Sequence, residues 1–195
     1  MLETKRQESH TSIVLSYANV VSLVRLVSAP VVLWLILESH IVIASMLFVL
    51  AALTDMIDGV LARFHNETSH VGVYLDPLAD KVLLLCVYVT IGVMAWLPLW
   101  FVIIIVFRDM FIIVGIVMAY LLEQKRADVK PLFISKVNTA LQFALALWVL
   151  LGQTGVATPM MAAFPYHHLY TDIGVVVVAT TTVISGLLYL RKWWG

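Results

Sequence analysis

Residues 54 to 81 read TDMIDGVLARFHNETSHVGVYLDPLADK, and four aspartates, Asp55, Asp58, Asp76 and Asp80, stand there between two strongly apolar runs. On a helix, positions three or four apart share a face. Asp55 and Asp58 are three apart and Asp76 and Asp80 are four apart, so each pair can present its carboxylates together. The short connection between the pairs lets the two carrying segments run antiparallel and converge. Four carboxylates facing one another at low dielectric repel severely, so either some are protonated or cations sit between them. Oxygen-only ligands favour hard divalent ions such as Mg²⁺ or Mn²⁺. A lone acid at a membrane border is often a cap or reaches into the headgroups. Four at matched spacing, on adjacent segments, fit that role poorly.

Small residues lie among the acids. Gly59, Ala62 and Gly72 leave space and permit close backbone approach. Two uses fit them equally: room for a large ligand held against the cations, or tight packing of helices in a bilayer. Pro77 suits a first helical turn, where its missing N–H is not needed, and equally suits a kink.

The surrounding composition explains why such acids are conspicuous. Of 195 residues, 62% are apolar and 12% charged, and the mean hydropathy of +0.99 is far outside the soluble globular range. The length suits one domain. A net charge of zero offers no bulk attraction for nucleic acid. The single cysteine, Cys86, lies in the run VLLLCVYV and reads as a small buried hydrophobe.

A helix needs about 20 apolar residues to cross a bilayer core. Six segments approach that length, at 16–37, 41–63, 74–95, 98–122, 132–151 and 171–190. They predict an all-α integral membrane protein of six transmembrane helices with a polar cavity facing the cytoplasm. Residues 1–15 form a juxtamembrane segment, either a short interfacial helix or a frayed end, and 16–195 form the membrane domain. The clean apolar part of the second segment covers only 41–53. It crosses only if the helix continues through Asp55 and Asp58, which places carboxylates near hydrocarbon depth. A charge there costs roughly 2.5–3.5 kcal/mol unless paired, hydrated or bound to metal.

Basic residues set the orientation. Lys5, Arg6, Arg63, Lys81, Lys125, Arg126, Lys130, Lys136, Arg191 and Lys192 all flank one set of connections and the termini. The remaining three connections carry no Lys or Arg. This asymmetry predicts both termini and the aspartate connection on the cytoplasmic side, or its topological equivalent. The sequon at Asn66 then faces away from any glycosylating compartment.

The full string Asp55-x₂-Asp58-Gly59-x₂-Ala62-Arg63-x₈-Gly72-x₃-Asp76-x₃-Asp80 resembles the signature of the CDP-alcohol phosphotransferases, with all eight fixed positions filled. The opening NVVSLVRLVSAP resembles that of the phosphatidylglycerophosphate and cardiolipin synthases through Asn19, Ser22, Arg25 and Pro30, with Ala18 where a proline is common. Arg108-Asp109 and KPLFISKVNTALQ, at 130–142, look most like the CMP-forming cardiolipin synthases. Phosphatidylglycerophosphate synthases share part of that segment.

The resemblance implies two divalent cations, Mg²⁺ or Mn²⁺, homodimerisation, and transfer of a phosphatidyl group from CDP-diacylglycerol to an alcohol with release of CMP. It implies Asp55, Asp58, Asp76 and Asp80 as metal ligands, with Asp80 also the general base. Gly59, Ala62 and Gly72 would admit the cytidine and phosphates, and Arg63 would pair with a donor phosphate or an aspartate. The acceptor is phosphatidylglycerol, giving cardiolipin, or alternatively glycerol 3-phosphate. Arg25, Arg108, Lys130 and Lys136 are candidates to hold either acceptor; Arg108, well inside an apolar segment, alternatively forms a buried pair with Asp109 or an aspartate of the site. Ser135 and Asn138 either hydrogen-bond the acceptor or bridge helices. The location implied is a bacterial or mitochondrial inner membrane. Two rival readings are an ion-coupled transporter, which leaves the fixed glycine, alanine and arginine unexplained, and a non-catalytic lipid-binding scaffold.

Overall fold

A computed structural model of the protein describes residues 17–65, 72–121, 133–154 and 167–194; within these, the side chains at 17–21, 55–65, 72–77, 116, 119–121, 133, 167, 189–190 and 192–194 lie outside the description. The described residues form six α-helices: α1 (Tyr17–Leu37), α2 (Ile41–His65), α3 (Gly72–Val93), α4 (Leu99–Leu121), α5 (Phe133–Gln153) and α6 (His167–Trp194). The expected segments match closely. The second runs to His65, through Asp55 and Asp58, as its short apolar stretch required. The third begins at Gly72 rather than 74, and the sixth extends to take in His168 and Arg191. Hydropathy alone places helix ends too far inward, because polar terminal turns continue the backbone hydrogen bonding. The segment 1–15 and Lys130 lie outside the described residues.

The helices pack as a ring. In spatial order α2, α1, α3, α4, α6 and α5 each touch the next, α5 closes on α2, and α3 meets α5 across the middle. Phe48 of α2 stacks on Phe143 of α5 at 5.2 Å. Tyr88 of α3 meets Phe101 of α4 edge-on at 6.1 Å and donates its hydroxyl to the Gln142 carbonyl of α5 at 2.9 Å. Leu83, Leu84, Val87 and Ile91 of α3 are fully buried in this core.

The turns after α1 and α3 share one design. His40 N–H donates to Leu35 O and Ser39 N–H to Ile36 O, while Trp96 N–H donates to Ile91 O and Ala95 N–H to Gly92 O. These crossed bonds satisfy the last carbonyls of each helix in a Schellman arrangement. The turning residues Ser39 (φ 63°) and Ala95 (φ 55°) are left-handed, where glycine is usual.

The distribution of polarity is the reverse of a soluble domain. Leu23, Val27 and Trp34 of α1, Ile103, Phe107 and Val114 of α4, and Val176, Val183 and Leu187 of α6 are exposed. Arg25, Lys81, Arg108 and Asp109 are buried. Segments 134–153 and 168–188 are long and apolar enough to cross a membrane. Hydroxyls in the helices bond to carbonyls one turn back, as Ser45 does to Ile41 and Thr90 to Cys86. This meets their polar need without water.

Candidate active site

The helical backbone places the motif as the spacing required. Asp55, Asp58, Gly59, Ala62 and Arg63 fall on the last turns of α2, and Gly72, Asp76 and Asp80 on the first turns of α3. The side chains of all these except Asp80 lie outside the description. Among the described residues no group of three or more potential metal ligands gathers.

Asp80 is described, and its setting is specific. Its carboxylate receives the guanidinium of Arg25 from α1. Arg25 is buried at 3% side-chain exposure, whereas Asp80 keeps 25%. Ser28 Oγ donates to the Arg25 carbonyl at 2.7 Å, and Ser22 lies buried one turn before Arg25. The cation of this pair is thus buried while its carboxylate partner stays partly exposed. The donor set of four carboxylates, hard oxygen ligands on helix turns that face the same end of the ring, fits divalent cations by its chemistry.

A second ionic cluster lies deeper. Lys81, next in sequence to Asp80, extends Nζ to Asp109 Oδ1 of α4 at 2.9 Å and to Thr139 Oγ1 of α5 at 3.1 Å. Arg108 donates to the same Asp109 oxygen at 2.6 Å, to Ser135 Oγ of α5 at 2.7 Å and to Ser185 Oγ of α6 at 2.9 Å. Thr181 and Thr182 of α6 both donate to Asn138 Oδ1, at 2.7 and 3.0 Å. Four helices thus meet on a few polar atoms. Arg108, Ser135 and Asn138, candidates for the acceptor, make helix-bridging bonds in this arrangement. Arg108 Nε, Asn138 Nδ2 and both side-chain polar atoms of Gln142 are buried without a partner among the described residues. Lys136 is exposed.

Sequence reasoning missed Lys81 as an internal residue, taking it for a flanking charge, and missed Thr139, Gln142, Thr181, Thr182 and Ser185 altogether. A signal existed. Ser135, Asn138, Thr139 and Gln142 repeat at three- and four-residue steps, which marks a polar stripe on an otherwise apolar helix.

Comparison with known proteins identifies the family. Residues 15–189 match the family model described as CDP-alcohol phosphatidyltransferase. The chain is 35% identical over 187 residues to proteins of rat and human named cardiolipin synthase (CMP-forming), covering 88% of this chain and 59% of each relative. It is 28% identical over 182 residues to a probable phosphatidylglycerophosphate synthase of Mycobacterium tuberculosis, covering 90% of this chain and 80% of that one. The chain thus spans less than two thirds of the rat and human relatives it matches. Nothing in these matches supports the transporter reading. With the motif filled and nearly the whole chain matched, this protein belongs to the CDP-alcohol phosphatidyltransferase family.

Proposed function

We propose that the protein transfers the phosphatidyl group of CDP-diacylglycerol to phosphatidylglycerol, releasing CMP and forming cardiolipin. The observation that carries this reading is Asp80: a carboxylate of the family motif, paired with the buried Arg25 and itself partly exposed. The similarity to proteins named cardiolipin synthase supports phosphatidylglycerol as the acceptor. A second reading, with glycerol 3-phosphate as acceptor, is favoured by a rice chloroplast protein named CDP-diacylglycerol–glycerol-3-phosphate 3-phosphatidyltransferase, 38% identical over 153 residues.

The chemistry follows from the residues. Asp80 takes the proton of the acceptor hydroxyl as its oxygen forms a bond to the lipid-bearing phosphorus. The bond from that phosphorus to CMP breaks. Arg25 holds the Asp80 carboxylate in place and supplies positive charge beside the developing phosphate negative charge. Gly59, Ala62 and Gly72 give the nucleotide room to approach the backbone, and Arg63 pairs with a donor phosphate. Lys136, exposed on α5, and Lys130 would draw in the phosphate of the acceptor. Family members generally use a divalent metal; Mg²⁺ or Mn²⁺, held by Asp55, Asp58, Asp76 and Asp80, supplies neutralisation of the pyrophosphate when bound.

The exposed apolar faces and buried charges support six membrane crossings, with the motif end of the ring at the cytoplasmic or matrix surface. Acyl tails then stay in lipid while the head enters the cavity. The chain functions as a homodimer. The test is CMP release by purified protein with Mg²⁺ or Mn²⁺ from labelled CDP-diacylglycerol, compared across phosphatidylglycerol, glycerol 3-phosphate and inositol phosphate. Phosphatidylglycerol is expected to give the highest rate, and EDTA to abolish it. Activity on glycerol 3-phosphate alone moves the assignment to the second reading. No CMP with any acceptor overturns both.

A further inference from the structure

Neighbouring residues on a helix point about 100° apart. Asp80 and Lys81 therefore leave α3 in different directions, one to Arg25 of α1 and the other to Asp109 of α4 and Thr139 of α5. Among the described residues of α3 at this level, Ala79, Leu83 and Leu84 are buried and apolar. Apolar burial is non-directional and resists rotation of a helix weakly. A charge-assisted bond inside a low-dielectric core is directional.

We propose that Lys81, anchored on Asp109 and Thr139, is a positioning residue that fixes the rotation of α3 and thereby holds Asp80 in its place against Arg25. This rests on the catalytic role given to Asp80 above. Asp109 is suited to the anchor because Arg108 holds it from its own helix and because it is fully buried. Arg108 is in turn tied to α5 and α6 through Ser135 and Ser185. The orientation of Asp80 is thus referred to the whole far side of the ring. Lys81 is kept from substrate by its burial, so it acts through Asp80 and does not touch the reacting atoms.

Lys81→Met is the informative variant. Methionine keeps the length and helix preference of lysine. Asp109 retains Arg108, so no buried carboxylate is left without a cation. Turnover and alkylation are both read in the full chain, in lipid nanodiscs. Cys86, the chain's only cysteine, lies on α3 and is half-buried, so N-ethylmaleimide reports the placement of that helix independently of catalysis.

Lys81→Met is expected to lower kcat by ~10- to 100-fold, the scale of a misplaced catalytic group, with KM for CDP-diacylglycerol held within about threefold. The Cys86 alkylation rate is expected to change by about threefold or more, and Lys81→Arg, which keeps the cation, to return both readouts toward wild type. Should Lys81→Met not fold, Thr139→Val removes one of the two anchors and is expected to lower kcat by about fivefold, the equivalent of one hydrogen bond. Wild-type kcat in a folded Lys81→Met or Thr139→Val protein overturns the proposal, as does a loss carried by KM alone, which marks a direct substrate contact. If wild-type protein releases no CMP with any acceptor, the catalytic reading has failed, and the alkylation rate alone decides: an unchanged rate in Lys81→Met overturns the positioning role.

Discussion

The two arginine–aspartate pairs of this protein are chemically alike and differently placed. Arg25 and Asp80 join α1 to α3, and the aspartate side chain keeps 25% of its surface. Arg108 and Asp109 are neighbours on α4, and the aspartate has none. The carboxylate of the first pair is partly exposed, and the proposed role as base needs that exposure. The second is enclosed by Lys81, Ser135 and Ser185 and has no outlet. On the proposed function, the same two side chains serve chemistry where the carboxylate is partly exposed and architecture where it is fully buried.

The difference can be tested by exchanging the site of damage. Asp80→Asn removes the base and is expected to lower kcat by ~10²- to 10⁴-fold, with the melting temperature near wild type and much of the divalent-cation affinity retained. A wild-type rate removes Asp80 from the base role, and a melting temperature lowered as far as that of Asp109→Asn erases the contrast. Asp109→Asn leaves Lys81 and Arg108 facing each other in the core without their shared anion. It is expected to cost about 3–5 kcal/mol of stability, read as a lowered melting temperature in detergent.

Arg25→Gln sharpens the comparison at intermediate size. Its carboxylate partner is partly solvated, so stability should fall by about 1 kcal/mol, while turnover falls by about tenfold as Asp80 loses its support. A stability loss as large as that of Asp109→Asn would class the two pairs together. Thr182→Val, on the edge of the sealed cluster, removes one of two hydrogen bonds to Asn138 and should cost about 1 kcal/mol with kcat unchanged.

Asp80 was legible where its bond to Arg25, 55 residues earlier, was not, since Arg25 was read only as a candidate for the acceptor. Asp80 belongs to a string with fixed local gaps, and helical periodicity turns such gaps into geometry. The helices themselves were legible because an apolar run of bilayer length admits little besides a helix. The sealed cluster depends on packing. Lys81 finds Asp109 at a separation of 28 residues, and Arg108 finds Ser185 at 77. No local pattern encodes which faces of α3, α4 and α6 meet. Lys81 was misleading because a lysine beside an apolar run marks orientation when it faces water and anchors a helix when it faces a carboxylate. Arg108 was singled out from its depth in an apolar run, but its bonds to α5 and α6 became visible only with the ring closed.

The left-handed turns at Ser39 and Ala95 offer a route to a hardier preparation. Each L residue there bears a steric penalty that glycine escapes, partly offset by glycine's greater freedom in the unfolded chain. Ser39→Gly and Ala95→Gly together should raise the temperature at which purified protein precipitates, by a gain of roughly 0.5–1 kcal/mol per position. Both turns sit at the end of the ring away from the aspartates, so sturdier protein would come without altering the groups whose kinetics are to be measured.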